Sequence, residues 1–304
     1  MGMRWVGRFR VTGWAARLWP MLSALAAAIM LAPAALAEQA EDWQIGMQPG
    51  VTPVRDQIDF LHDDILLPII SVITVFVLGL LLYTILRFNA RRHPTPSQTS
   101  HNTLIEVIWT TVPILILLVI FIPSIKLLYY VDRTQHADMT LKVTGHQWYW
   151  SYEYPDQGDV SFDSTMIPEE DQVKRGLPRL LEVDNPVVLP VGATVRILVT
   201  GTDVIHSWFV PATGVQEYAV VGRTNESWMR LERAGTYYGQ CNQICGLNHP
   251  FMPIEIKAVD KGEFGKWLAC QKKPPKEGCG EFTKTADRKD GAGAPVLASA
   301  RPAQ

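Results

Sequence analysis

Two long stretches without a charge constrain this chain more than any other feature. Ile65 to Leu86 runs 22 residues rich in Ile, Val and Leu, and Val107 to Ile125 runs 19 more, extended by Leu127, Leu128 and Val131. At 1.5 Å per helical residue, about 20 apolar residues cross a hydrocarbon core of ~30 Å. One such run is compatible with a buried core helix. Two in succession predict a two-helix transmembrane hairpin over residues 65–131. Trp109 near one end of the second run and Tyr129 and Tyr130 near the other suit the membrane interfaces.

The flanks set a direction. The connection between the runs carries Arg87, Arg91 and Arg92 with no acid before Glu106, whereas the approach carries Asp56, Asp59, Asp63 and Asp64 against Arg55 alone. Positive flanks stay on the cytoplasmic side. The turn is therefore expected in the cytoplasm, with residues 38–64 and everything after Tyr130 exported. Glu106, where the second run begins, is either an interfacial acid or part of a polar path into the membrane.

The overall net charge of −2 on 304 residues hides unlike pieces. Residues 1–37 carry Arg4, Arg8, Arg10 and Arg17 and no acid; the apolar stretch Met21 to Leu31 leads to Ala35-Leu36-Ala37, an A-x-A pattern. This reads as a signal peptide cleaved after Ala37. A retained anchor is the alternative, but the stretch is short, Ala-rich and broken by Pro33. Residues 38–131 carry a net −3, residues 132–260 a net −7 and residues 261–304 a net +4. With 47% hydrophobic and 19% charged residues, the chain is neither disordered nor a basic nucleic-acid binder, and no nucleic acid is expected as partner. Four cysteines are too few for a disulfide-dense scaffold.

Beyond residue 139 the helical signal stops. Short β-rich runs follow at Thr140–Val143, Trp148–Tyr154, Leu180–Val183, Thr194–Thr200, Ser227–Leu231, Tyr237–Gln240 and Ile254–Val259, separated by Gly, Pro, Asp and Asn clusters. Such spacing predicts an antiparallel sandwich or barrel over residues 132–260. Residues 261–304 are expected to form a short helix and a low-complexity, disordered tail.

The chemistry concentrates in Cys241-Asn242-Gln243-Ile244-Cys245-Gly246-Leu247-Asn248-His249-Pro250-Phe251-Met252, a C-x3-C-x3-H-x2-M pattern with a lone His206 upstream. Thiolate, imidazole and thioether form a soft donor set that selects copper over magnesium or calcium. His206, Cys245, His249 and Met252 would complete a mononuclear blue-copper site and leave Cys241 over. All five together suit two copper ions bridged by both sulfurs, an arrangement that changes little on gaining an electron. A structural zinc site on the two cysteines and two histidines would leave Met252 without a role. A Cys241–Cys245 disulfide is the remaining option in an exported domain.

A second run, Gly145-His146-Gln147-Trp148-Tyr149-Trp150-Ser151-Tyr152-Glu153-Tyr154, alternates strictly. It puts Trp148, Trp150, Tyr152 and Tyr154 on one strand face, read mainly as the core face, with a rim ring available for docking a partner. The acids Glu153, Asp156, Asp159, Asp163, Glu169, Glu170, Asp171 and Asp203 are mostly solvated, yet as a field they attract a basic partner.

These segments, with Asn102 through Trp109, Leu180 through Asn185, His206-Ser207-Trp208 and Tyr237 through Pro253, closely resemble subunit II of the haem–copper cytochrome c oxidases in the bacterial, exported form. The resemblance covers about residues 45–268. It implies an all-β cupredoxin-like sandwich with Greek-key connections, anchored by an N-terminal two-helix hairpin in the bacterial inner membrane with its copper domain in the periplasm. It further implies a binuclear copper centre, CuA, that takes electrons from cytochrome c and passes them to haem in subunit I, where oxygen is reduced to water. Subunit III is an expected neighbour.

By the same resemblance the copper ligands fall on His206, Cys241, the main-chain carbonyl of Gln243, Cys245, His249 and Met252. Trp148 falls on the tryptophan for electron uptake with Tyr149 beside it, and Glu106 falls on the acid at the mouth of a proton path.

Two places depart from the family pattern. Gln243 stands where a glutamate usually holds magnesium at the subunit I boundary, and a neutral amide binds that hard cation less well. Gln216, Tyr218 and Val221 replace the usual Lys, Asp and Pro after the histidine strand. Cys270 and Cys279 lie outside the copper pattern and are expected to form a disulfide. No C-x-x-C-H marks a fused cytochrome c domain. A quinol oxidase subunit of similar shape generally lacks the copper ligands, a membrane-anchored copper carrier would lack a haem-bearing partner, and the two spans oppose a soluble copper domain of the nitrous oxide reductase type.

Overall fold

The computed structural model describes residues 40–273 apart from 42, 96 and 133–135. The expected signal peptide, the tail beyond 273 and Cys279 lie outside these residues.

The first helix begins well before Ile65. Thr52 caps it, its Oγ1 accepting from the Arg55 N–H at 3.0 Å, and Pro53 occupies the first turn, where a missing N–H costs nothing. Helix α1 (Pro53–Asp59) continues through a π-helical stretch, Phe60–Leu66, into α2 (Leu67–Arg87), giving one 35-residue helix. Helix α3 (Thr103–Asp132) adds 30 residues and carries Pro113 and Pro123. Both are long and apolar enough to cross a membrane, and their apolar windows have no buried residue.

Ten strands follow: β1 (Met139–His146), β2 (Tyr149–Tyr154), β3 (Val160–Ser164), β4 (Val187–Pro190), β5 (Thr194–Gly201), β6 (His206–Val210), β7 (Val215–Ala219), β8 (Asn225–Arg230), β9 (Gly235–Cys241) and β10 (Pro253–Val259). They form two five-stranded sheets, ordered β3-β2-β1-β5-β8 and β4-β10-β9-β6-β7. The fold is the expected sandwich, but its sheets are mixed. β1 pairs with β5, and β4 with β10, in parallel. Parallel neighbours need long crossovers, and the chain between β1 and β5 supplies one through β2, β3 and β4.

Leu180–Val183, expected as a strand, makes only an isolated bridge from Val183 to Met166. Leu180 takes a left-handed φ of 62°, and its N–H donates to the side chain of Gln172, a fully buried residue on α4 (Glu169–Arg175). β3, β4, β6 and β7 were not expected.

The core lies between the sheets. Trp150, Tyr152 and Tyr154 point inward from β2, each at most 1% exposed, against Leu141, Ile197, Trp208, Met229, Ile254 and Ile256. Their polar ends are satisfied across the core, as buried rings require. Trp150 Nε1 donates to Met252 O at 3.1 Å, Trp208 Nε1 to the Tyr152 hydroxyl at 3.3 Å, and the Tyr154 hydroxyl to Val188 O at 3.0 Å. Helix α5 (Lys261–Gln271), capped by Asp260, closes one end, with Trp267 against Tyr154 and Phe162 and Phe264 stacked on Trp267.

Two joints tie the helices to the sandwich. At the end of α3, Trp228 Nε1 donates to Tyr130 O at 2.9 Å while the two rings meet edge to face. Ahead of α1, Val51 N–H donates to Ala212 O at 3.0 Å and the Thr52 hydroxyl to Thr213 O at 2.6 Å. Arg55, 5% exposed, donates to Asp59 Oδ1 at 2.7 Å, Pro211 O at 2.8 Å and Gln48 O at 3.1 Å. Gly214, at φ 71°, leaves room for this crossing; a Cβ there would sit 2.8 Å from Ile58 Cδ1.

Candidate metal centre

The ends of the three central strands of the second sheet, β10, β9 and β6, converge at one end of the sandwich. His206 opens β6, Cys241 closes β9 opposite Trp208, and the loop to β10 brings Cys245, His249 and Met252 back to the same spot. Cys241 Sγ lies 3.8 Å from Cys245 Sγ, 4.0 Å from His206 Nδ1 and 3.3 Å from the Gln243 carbonyl. Cys245 Sγ lies 3.5 Å from His249 Nδ1 and 3.6 Å from Met252 Sδ. Six donors from six residues thus form one connected cluster. His206, Cys241, Cys245 and Met252 are buried, while His249 is partly open. The two thiols are free, so the disulfide alternative is not what this fold adopts.

The cluster fits a soft cation. Burial works against ionising either thiol. The His206 ring beside it and a hydrogen bond from the Ser207 main chain nevertheless draw Cys241 down to about 6. Burial and the neighbouring Cys241 charge push Cys245 up to about 12. Two thiolates at this separation coexist only with positive charge beside them.

The surroundings aim the donors. Asp203 Oδ1 accepts from His206 Nε2 at 2.9 Å, which fixes the proton on Nε2 and turns the bare Nδ1 toward the sulfurs. Asp203 also accepts from the main-chain N–H groups of Gln147 and Val204. Although burial opposes it, these bonds hold its carboxyl below the usual range. Gly145 is bare for a reason: a Cβ would lie 2.9 Å from the His206 ring.

Trp148 sits half-buried at the rim, just ahead of β2, and its Nε1 donates to Cys245 O at 3.2 Å; the Gln147 side chain donates to the same oxygen at 2.9 Å. Gly246, with φ 121°, lies so close under the Trp148 ring that a Cβ would be 3.0 Å away. Of the four aromatic residues expected on one face, three are core and Trp148 is at the edge. Tyr149 lies beside it on the outer face of the first sheet. Glu106 is not brought to this cluster: it lies in the first turn of α3, roughly 40 Å of helix from Asp132. There its carboxylate accepts from the Asn102 N–H at 3.3 Å.

Comparison with known proteins shows the family. Residues 139–259 match the family model of the cytochrome c oxidase subunit II periplasmic domain, and residues 40–127 match that of its transmembrane domain. A probable cytochrome c oxidase subunit 2 of Rickettsia bellii is 49% identical over 76% of this chain and 85% of its own. The chain belongs to the cytochrome c oxidase subunit II family. Another relative, the cytochrome c oxidase subunit 2 of Oenothera berteroana, is 47% identical over 79% of this chain and 95% of its own. The crystal structure of the periplasmic domain of subunit II of cytochrome oxidase from Bradyrhizobium japonicum is 48% identical, with a TM-score of 0.43, covering 46% of this chain and 97% of that one.

This subunit II holds site residues that its motif did not reveal. Asp203 was legible only as one acid among many, and an acid three residues before a ligating histidine is a weak signal. Gln147 and Gly145 carried none beyond their place in the aromatic run. Cys270 is disulfide-bonded; Cys279, the expected partner, lies outside the described residues.

Proposed function

We propose that this oxidase subunit accepts electrons from cytochrome c on its periplasmic face and delivers them toward haem in subunit I. His206, Cys241, the Gln243 carbonyl, Cys245, His249 and Met252 would hold a pair of copper ions. Bound there, the pair supplies reversible one-electron transfer with little rearrangement. The observation that carries this reading is the closed chain of donor contacts, with both sulfurs at its centre and a thioether included. Zinc would leave Met252 idle, and a single copper would leave Cys241 idle.

The chain's own residues prepare the site. Asp203 sets the His206 tautomer, Trp148 and Gln147 fix the Cys245 carbonyl, and the buried walls exclude water. Trp148 gives the rim a conjugated ring joined by one hydrogen bond to the ligand loop, which supports its role in electron uptake, with Tyr149 beside it. Glu106, in the first turn of a membrane helix, suits the mouth of a proton path. The arginine-rich turn supports a cytoplasmic loop in the bacterial inner membrane, with residues 1–37 removed as a signal, the sandwich in the periplasm and subunit III as a further neighbour. Gln243 argues against strong magnesium binding.

Electron paramagnetic resonance of the copper-loaded protein tests the centre. An unpaired electron shared equally by two copper nuclei gives a seven-line pattern, and a four-line pattern would refute the pair. Trp148→Phe is expected to slow cytochrome c oxidation about tenfold or more, since an interaction of ~1.4 kcal/mol lost at the transition state has that effect, with copper retained. Unchanged turnover would remove Trp148 from the uptake path.

A further inference from the structure

We propose that His146 is a positioning residue that holds the Tyr149 ring at the donor-facing rim; the inference rests on the electron-uptake reading above. His146 and Tyr149 are direct cross-strand partners on β1 and β2. Their rings stack with centroids 4.5 Å apart and planes 8° from parallel. Neither ring belongs to the core between the sheets. A stack on the outer face, one residue from Trp148, serves the surface.

The imidazole is tethered at both nitrogens. Ser151 Oγ donates to Asp163 Oδ1 at 2.6 Å, so it accepts from His146 Nε2–H at 2.9 Å. The bare Nδ1 then faces the Thr202 hydroxyl at 2.9 Å, nearer than the Gly145 carbonyl at 3.3 Å that shares the hydroxyl proton. The next residue, Asp203, holds His206. One turn therefore fixes both the ring beneath Tyr149 and a proposed copper ligand. A tyrosine at the mouth of a strand would otherwise sample several rotamers, and a docking protein would have to order it, at a cost in affinity. The His146 ring, clamped by Asp163, Ser151 and Thr202, orders it beforehand.

The effect belongs in KM for the donor rather than in kcat. In the assembled oxidase, with reduced soluble cytochrome c as probe, His146→Ala is expected to raise KM roughly three- to tenfold, the size of one lost aromatic pair. The kcat and the copper absorption should stay near those of the parent. His146→Phe, which keeps a stacking face, should recover most of the loss, and Ser151→Ala, which cuts one tether, should give a smaller rise. An unchanged KM in His146→Ala and Ser151→Ala would overturn the inference, as would loss of copper absorption in His146→Ala, which would make the residue structural. Trp148→Phe separates the two readings. If it slows turnover while His146→Ala is silent, only the positioning role fails; if Trp148→Phe is silent, the uptake reading fails.

Discussion

Asp203 shows how much a single side chain can decide. Its carboxylate is an acceptor only, so the His206 ring beside it has one possible neutral tautomer and one nitrogen to offer. Removing it should free the ring to rotate and to carry its proton on the wrong nitrogen. Asp203→Ala is therefore expected to speed copper loss to a chelator by about tenfold or more, the range for outer partners of ligating histidines. Asp203→Asn, which keeps an oxygen acceptor, should lose less. Equal release rates for the parent and Asp203→Ala would show that burial alone holds His206.

At the scale of elements, β10 carries a carboxyl where the sheet is closed. Glu255 is 2% exposed, accepts from the Val183 N–H at 3.2 Å, lies 3.4 Å from the Lys257 ammonium, and pairs in register with Tyr238, whose hydroxyl donates to Glu182. Burial first, then the charge of Glu182, pushes Glu255 up to about 7 from an ordinary 4.5. Between those values the folded chain keeps a proton that the unfolded chain has released, so stability falls as pH rises and the full cost is reached above about 7. Glu255→Gln should raise Tm relative to the parent at pH ~8, with the difference vanishing near pH ~4.5. A parallel pH profile for both proteins would show that Glu255 ionises normally. The same register explains what could and could not be read from the chain. The ligands at 241–252 are close in sequence, so their spacing exposed them. Strand β6 begins with His206 and Ser207, both fully buried yet polar, so its apolar run Trp208-Phe209-Val210 is only three residues long before Pro211, and β3 reads Val-Ser-Phe-Asp-Ser, which lacks the apolar weight that marks a strand in isolation. Leu180–Val183 has that weight but is turned aside by the buried Gln172. Gln147 and Asp203 meet the centre only because β1 and β5 run in parallel, and a crossover between distant strands leaves no local pattern.

The whole molecule is organised by the segment ahead of the first membrane helix. The two apolar runs announced the hairpin, but nothing in them foretold that residues 48–59 would lie against the sandwich and give it a floor. Arg55 is the centre of that joint, tying Gln48 and Asp59 of its own segment to Pro211 of the sandwich. Arg55→Met should cost about 2–3 kcal/mol, below the full value for a broken buried pair because Asp59 is partly open to solvent. Thermal unfolding and proteolysis within 48–59 would measure it, and an unaltered Tm with unaltered cleavage would assign the joint to Thr52 and Val51 instead. The joint also gives the chain a parity check on membrane insertion. Thr52 precedes both crossings and Thr213 follows both, so their hydrogen bond forms only when an even number of crossings separates them. A chain with one helix left out of the bilayer would strand Arg55 on one side and its Pro211 acceptor on the other. The sandwich would lack its floor, and Ala212 and Thr213 would lose the partners that Val51 and Thr52 give them in a correctly threaded chain.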